Sequence, residues 1–521
     1  MIQQIRVLAL ELGATEAGKG VLDQIRLRLP GVWIAGVEKE TNFGNSSFDH
    51  VITTQRDAFY GRYPEIDTSA LAVTPELHDL LKPLEGKLLN LAGLASVRSP
   101  NDYPQPIRGV PVFVDSYDAR KDLIDRHSRF WNTVFDQFQF HAVIHENLGQ
   151  EIYDYIALSV ARARGIPSLV FNLSGQFPRV LFVQENENEL GSLALGRLLK
   201  GELKSNYVVE NSDFIRRALP KIRSSTDAGI AGDGSQLKNT EYQTHPITSW
   251  LFDRNIYKND ISLLLVTKSV VTKLGRFFKS PRERIRVFRN TRALLRNTSI
   301  AMREESANSK PFKPECPYIY LPLHFQPETS TSVKGRHFYT LREAVAFIAS
   351  ELPAGWRLVV KEHPHQHRRL LKRVPGFYSQ IAAIPNVDLL HHTTSNETLV
   401  QGARAVACVS HSSITANALF AGKPIISLGD SHLREAPNYY CVTRTAELRE
   451  VIRKIAFAEC HLDADQLERF IEKLELSTFE GEFGERPESL SLEQWQHCLS
   501  VTAGNVGGAI VEWLRLRVIT N

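Results

Sequence analysis

Between Tyr318 and Leu428 the chain alternates strand-length apolar runs with helix-length amphipathic ones, and no other feature constrains its fold as tightly. Five runs have strand length: Tyr318 to Leu323, Arg357 to Lys361, Val387 to Leu390, Ala405 to Val409 and Pro424 to Leu428. Between them, Thr340 with Glu343 reads as a capping box opening a helix to about Leu352, Phe377 to Ile384 is helical, and Ser395 caps a further helix. Short apolar strands separated by helices suit a parallel, doubly wound sheet buried on both faces. The N-terminal third repeats this α/β grammar in Ile5 to Leu12, a helix around Val21 to Leu29, and Val32 to Val37. There, His141 to Ile144, a helix from Gln150 to Arg164 closed by Gly165, and Pro167 to Phe171 read as one βαβ crossover. Residues after about 445 are mainly helical, as in Ala446 to Ala456, Asp465 to Leu474 and Ala503 to Val518. The expected organisation is a Rossmann-like domain over 1–200, a connection over 201–313, a second Rossmann-like domain over 314–445, and C-terminal helices over 446–521.

A chain of 521 residues, 43% hydrophobic, exceeds one comfortable core, which agrees with two domains. Lysine and arginine number 62 against 58 acids, a net charge of +4, too balanced for wholesale nucleic-acid binding. Cys316, Cys408, Cys441, Cys460 and Cys498 form no C-x-x-C pair, so a reducing cytosol fits better than a disulfide framework. No run approaches the roughly 18 apolar residues needed to span a bilayer, and Met1 to Leu12 lacks a leader pattern, so a cytoplasmic protein is expected. Between Lys268 and Arg296, ten basic residues and one acid, Glu283, interleave with Leu274, Phe277, Phe278, Ile285 and Phe288. That composition suits either peripheral contact with an anionic inner membrane or a solvated interdomain helix.

In an open parallel sheet, ligands sit beyond the carboxyl ends of the strands. The residues there are polar: His324-Phe325-Gln326-Pro327-Glu328 after the first strand, Glu362-His363-Pro364 after the second, and Ser410 to Ser413 after the fourth. Ser412 and Ser413 stand where a helix begins, so main-chain N–H groups and hydroxyls together suit a phosphate; the alternative is a simple helix cap. Lys423, past that helix, would add charge. His363, His365 and His367 alternate, but no carboxylate or cysteine completes a ligand set, so no metal is expected there. Arg368, Arg369, Lys372 and Arg373 behind them favour an anionic ligand or solvation, and Asp463-Ala464-Asp465 reads as a helix start.

These residues resemble the bacterial capsule polysaccharide synthesis proteins, which include transferases using CMP-activated 3-deoxy-manno-octulosonic acid (Kdo). The likeness lies in Leu321 to Glu328 with its Gln-Pro-Glu, Val360 to Pro364 with its Lys-Glu-His-Pro, and Ser410 to Gly429 with its Gly-Lys-Pro tail. It extends more loosely to His145-Glu146-Asn147, Gly165-Ile166-Pro167 and Pro178-Arg179. The resemblance implies a GT-B glycosyltransferase, metal-independent and without a cofactor, whose co-substrate is a nucleotide-sugar, CMP-linked by preference. His363, Ser412 and Ser413 would then bind donor phosphate, His363 also acting catalytically by neutralising or protonating the departing phosphate, with Ser410 among the donor-binding residues and Gln326, Glu328 and Lys361 shaping the cleft or touching sugar. Asn417 stands where many relatives carry glutamate, which puts ribose or base contacts in doubt. The base acting on a glycan or lipid-linked acceptor would come from the N-terminal domain: Glu146 first, beside His145, then Asp115. An acidic pair that relatives often show after the next strand is replaced here by Asn172-Leu173-Ser174-Gly175. The alternatives are a UDP- or GDP-sugar GT-B enzyme or epimerase, and a non-catalytic binding subunit of capsule assembly or export.

Overall fold

The computed structural model describes residues 4–203 and 299–520, apart from breaks of which the longest are 39–45, 64–73, 90–115 and 186–192, together with Ile215. Asp115, Glu328 and the basic segment 268–296 lie outside the described residues.

Two sheets organise the chain. The N-terminal sheet contains β1 (Arg6–Leu10), β2 (Trp33–Glu38), β3 (His50–Thr54), β4 (Ala142–His145), β5 (Ser168–Leu173) and β6 (Val180–Gln184). The C-terminal sheet contains β7 (Tyr318–Pro322), β8 (Arg357–Lys361), β9 (Val387–Leu390), β10 (Ala405–Cys408), β11 (Ile425–Ser427) and β12 (Tyr439–Cys441) in the order β12-β11-β10-β7-β8-β9. All its pairings are parallel. The five strands expected between Tyr318 and Leu428 are all present, and β12 extends them by a sixth. This is the doubly wound order, with its switch point between β7 and β10.

The N-terminal sheet begins the same way, with β3-β2-β1-β4-β5 parallel, then changes. β6 runs antiparallel to β5, and β13 (Phe479–Glu480) adds antiparallel to β6 from far along the chain. Its longer helices are α1 (Glu16–Arg28), α2 (Tyr117–Phe138), α3 (Ile152–Ala163) and α4 (Ala194–Glu202). Thr15 caps α1 through its hydroxyl, and Ser116 caps α2 likewise.

In the C-terminal half, α5 (Leu341–Ser350), α6 (Phe377–Ala382), α7 (Asn396–Gly402) and α8 (Ser413–Phe420) fill the crossovers. Ser395 caps α7 as expected, accepting from Thr398 N. Thr340 stands at the N-cap of α5, but the capping box does not form. A 3-10 turn over Arg336–Tyr339 feeds the chain directly into the helix, and the Thr340 carbonyl, not its hydroxyl, accepts from Glu343 N at 3.0 Å.

The residues after 445 divide between the two halves. α9 (Thr445–Ala456) buries Leu448, Val451, Ile452 and Ile455 against the C-terminal core. α10 (Ala464–Ser477), capped by Asp463, packs Leu467, Phe470, Ile471 and Leu474 into a cluster that also holds Val180, Phe182 and Leu193. α11 (Leu492–Leu514) then returns to the N-terminal half, where Val506, Ala509, Ile510 and Trp513 pack with Val21, Leu22 and Ile25 of α1. Among the described residues, no helix is long and apolar enough to cross a membrane.

Candidate functional site

The strand order makes β10, β7 and β8 neighbours, so the loops that follow them share one edge of the C-terminal sheet. Their side chains interlock. His324 Nε2 accepts from Val409 N at 3.2 Å, joining the ends of β7 and β10. Gln366 clasps Gln326 through both backbone groups, accepting from its N–H and donating to its carbonyl, each at 2.9 Å. Arg373 donates to both Glu362 oxygens at 2.8 Å, to the His324 carbonyl at 2.9 Å and to Gln326 Oε1 at 2.6 Å. Glu362 also accepts from Tyr378 Oη at 2.8 Å and from His363 N at 2.6 Å.

Arg373 is therefore a structural clamp, not the solvated or anion-facing charge expected of it. Both partners are buried, and a buried carboxylate with four donors is a satisfied one. Gln326 is likewise occupied, its amide donating to Thr331 Oγ1 and the Tyr339 carbonyl. His363 remains half-exposed on this edge, its ring 5.7 Å from that of Phe325.

The serine loop has a more divided role. Ser412 is the N-cap of α8 in a capping box closed by Thr415: its Oγ accepts from Thr415 N at 3.2 Å, and its own N–H donates to Thr415 Oγ1 at 2.7 Å. Ser413 is exposed at the first helical position, where N–H groups have no partner four residues back. Ser410 is completely buried, yet among the described residues its Oγ meets no hydrogen-bond partner; the same holds for Nδ1 of the neighbouring, buried His411. Asn417 sits half-buried on α8.

Two expected residues are not brought here. Lys423 lies past the far end of α8, before β11, and donates to the carbonyls of Gln401 at 2.7 Å and Ala403 at 3.0 Å. It caps α7 from the opposite edge of the sheet, so it does not supply charge to the serine loop. Lys361 is buried, with its ammonium 2.9 Å from the Thr394 carbonyl, which ties β8 to the turn after β9.

The structure adds residues that the sequence reading missed. Lys334 is buried next to His411 and His432, and its charge helps depress both imidazoles. Burial is the larger cause in each case, and His324 is pushed down to about 4 by burial and then by Arg373. All three rings are thus neutral near pH 7. The His411 and His432 rings lie 4.3 Å apart, and Phe182 of β6 stacks on His432 at 4.1 Å. Arg336 pairs with Asp430, whose N–H donates to the Lys334 carbonyl at 2.8 Å. Gly335 and Gly429 permit this approach: a Cβ on Gly429 would stand 2.2 Å from the Lys334 carbonyl oxygen and 2.5 Å from that of Val409, and one on Gly335 would stand 2.4 Å from the Thr331 oxygen. The basic residues around Gly335 were a readable signal, but they sit in a polar stretch with no strand before them.

The N-terminal half presents a second set at the ends of β1 and β4. His145 is buried, its Nε2 3.2 Å from Asp154 Oδ2, and its Nδ1 accepts from Asn147 N at 3.0 Å. Burial pushes the Asp154 carboxyl up to about 6 against the lowering pull of His145, and the neighbouring Glu11 adds to the rise. Glu11, directly after β1, holds a left-handed backbone at φ 62° and accepts from Tyr153 Oη at 2.8 Å. Glu146 stands half-buried just past β4. Asn172 is not at a loop but within β5, paired with Phe182 of β6. The halves meet near these residues: Val333 packs into the N-terminal core with Tyr153 and Tyr155, and Gly86 lies so close to Tyr339 that a Cβ would be 2.7 Å from its Oη.

Residues 332–434, which hold most of the C-terminal edge just described, match the family model "Capsule polysaccharide biosynthesis protein". No curated protein matches the chain in sequence. Among solved structures, it is similar to the β-Kdo 2,7 transferase KpsC of Thermosulfurimonas dismutans at 12% identity, over 67% of this chain and 80% of that one, with a TM-score of 0.27. The UDP-GlcNAc 2-epimerase of Neisseria meningitidis aligns at 10% identity over 100% of both chains with a TM-score of 0.21. The ADP-heptose LPS heptosyltransferase II of E. coli aligns at 8% identity over 87% of this chain and 99% of that one, with a TM-score of 0.20.

Proposed function

We propose that the chain is a glycosyltransferase of capsule or surface polysaccharide biosynthesis that binds the phosphate of a nucleotide-sugar, CMP-linked and Kdo-like by preference, against Ser410, His411 and Lys334. The observation that carries this reading is the pair of buried polar atoms, Ser410 Oγ and His411 Nδ1, that meet no partner among the described residues, beside a buried lysine and the N-terminus of α8. Unsatisfied buried polar atoms are costly, and a phosphate would satisfy both. Its charge would be favoured by the lysine ammonium and by the helix terminus. It would also raise the pKa of His411, which burial and Lys334 hold down, so a departing CMP phosphate gains a proton donor as its charge grows. His363, on the same edge, faces the donor from the β8 side. Glu146 is the proposed base toward the acceptor hydroxyl, a glycan or lipid-linked chain.

Calorimetry with CMP, CDP, UDP and GDP tests the donor class. Selective CMP binding, weakened at least tenfold by Lys334→Met and by Ser410→Ala but retained by Glu146→Gln, supports the reading. UDP or GDP preference moves it to the UDP- or GDP-sugar enzymes, and no binding of any nucleotide at millimolar concentration favours a non-catalytic subunit. For the base, Glu146→Gln should lower the rate of CMP release from CMP-Kdo with a Kdo-oligosaccharide acceptor by about a hundredfold or more, with KM for the donor unchanged.

A further inference from the structure

A third cluster lies at the outer edge of the C-terminal sheet. Glu305, on the helix spanning 299–308, is completely buried, and it reaches His391 and His392, which directly follow β9. Ligand-capable atoms of the three residues lie within 4.8 Å of one another. Glu305 Oε1 accepts from His392 N at 2.7 Å, and its Oε2 stands 3.0 Å from His392 Nδ1. The two imidazole rings are 4.2 Å apart, and Thr393 Oγ1 orients His391 at 2.8 Å from Nδ1.

The helix that brings Glu305 here is fixed on both sides of it. Glu304 accepts from Gly376 N and Ser379 N, each at 3.0 Å, at the start of α6. Beyond the helix, Lys310 N donates to the Leu389 carbonyl at 2.8 Å and its ammonium pairs with Asp388 at 2.7 Å. The carboxylate is therefore held against the imidazoles by contacts that do not depend on them. Taking a carboxylate out of water is costly unless a positive charge or good donors answer it. Two imidazoles stand against it, and a shared cation would supply that charge.

We propose that Glu305, His391 and His392 form a binding site for one divalent metal ion of the zinc class, which fastens the 299–308 helix to the edge of the C-terminal sheet. Two nitrogens and one carboxylate oxygen match the preferences of zinc, and three protein ligands leave a position for water. Nδ1 of His391, held by a hydroxyl, is the kind of outer contact that fixes the orientation of a ligating imidazole.

The test uses the full chain stripped by a chelator and titrated with Zn²⁺ by calorimetry, then loaded with Co²⁺ to read its visible ligand-field spectrum. One equivalent should bind, affinity should fall at least tenfold in both His391→Ala and Glu305→Gln, and the Co²⁺ spectrum should be lost in both. His391 is partly exposed, so His391→Ala should fold even if Glu305→Gln does not, and it decides alone in that case. Wild-type affinity no greater than that of His391→Ala, or a Co²⁺ spectrum unchanged by that substitution, overturns the proposal. Nucleotide affinity with and without metal keeps this result separate from the donor-site reading.

Discussion

The two sheets start from the same α/β plan and finish it differently. The C-terminal sheet is built from residues 318–441, close in sequence, and its edge is locked by Arg373 and Glu362, eleven positions apart. The N-terminal sheet is closed by β13 and covered by α11, with Trp513 Nε1 donating to Glu185 at 2.7 Å and Arg517 to the same carboxylate at 2.9 Å, across more than 300 positions. One half carries its own completion; the other borrows it. The difference teaches that equal fold grammar does not imply equal independence.

The largest expected effects break that comparison directly. Arg373→Met leaves the Glu362 carboxylate buried without its partner and should cost about 3–5 kcal/mol, while Trp513→Ala removes a fully buried indole and should cost about 3–5 kcal/mol as well. Denaturant unfolding measures both. Hydrogen exchange should show the first opening confined to the C-terminal sheet edge and the second spreading over α1 and β6. Identical exchange patterns would mean that the halves form one cooperative unit, and the contrast would fall.

A smaller effect sharpens the contrast through pH. The Asp154 carboxyl is raised to about 6 in the folded chain, so the folded state keeps a proton that the unfolded state has released. Its contribution is present below about pH 4 and is lost as pH rises toward 6. His324 runs the other way: held down to about 4, it resists a proton that the unfolded chain accepts, and its contribution is lost as pH falls from about 6.5 toward 4. His127, buried in the N-terminal half and lowered to about 3, shares the sign of His324, so the comparison needs variants. Between pH 4 and 6.5, Asp154→Asn should make the stability of the protein rise more steeply with pH, and His324→Gln should make it rise less steeply. Urea midpoints across that range give the slopes.

The smallest effect concerns Lys423. Because it caps α7 at the far edge, Lys423→Met should cost about 1 kcal/mol or less and leave nucleotide affinity unchanged in the same calorimetry. A tenfold loss of CMP affinity would return this lysine to the donor site.

What could be read in advance follows from the same contrast. The strands from Tyr318 to Leu428 were legible because each is a short apolar run with its crossover helix beside it, and the three polar loops then fall on one edge by topology alone. β12 was not, since Tyr439–Cys441 is too short to show a period. β13 was invisible for a stronger reason: two residues pair antiparallel with Leu181 and Val180, and nothing local announces such a partner. At the site, Ser410 and His411 could be placed after their strand from sequence. Lys334, His432 and the Arg336–Asp430 pair could not, because they gather by tertiary approach through Gly335 and Gly429. Glu11 had a usable signal, an acid directly after the first strand, which deserved the same weight as the loops of the other half. The opposite lesson comes from Lys361, Lys423, Gln326 and Arg373, polar residues whose hydrogen-bonding capacity is turned toward the protein's own backbone and side chains.

Synthesis runs from one end of the chain to the other, and this gives the position of β13 a temporal meaning. Translation proceeds at roughly 5–20 residues per second, so β6 and α1 emerge long before residues 479–514, which close the sheet and cover that helix. Until then the edge of β6 and the apolar face of α1 are exposed to whatever else can pair with them. The N-terminal half emerges before the C-terminal sheet and is completed after it, so a chaperone that holds it would have to wait through the making of the whole C-terminal sheet.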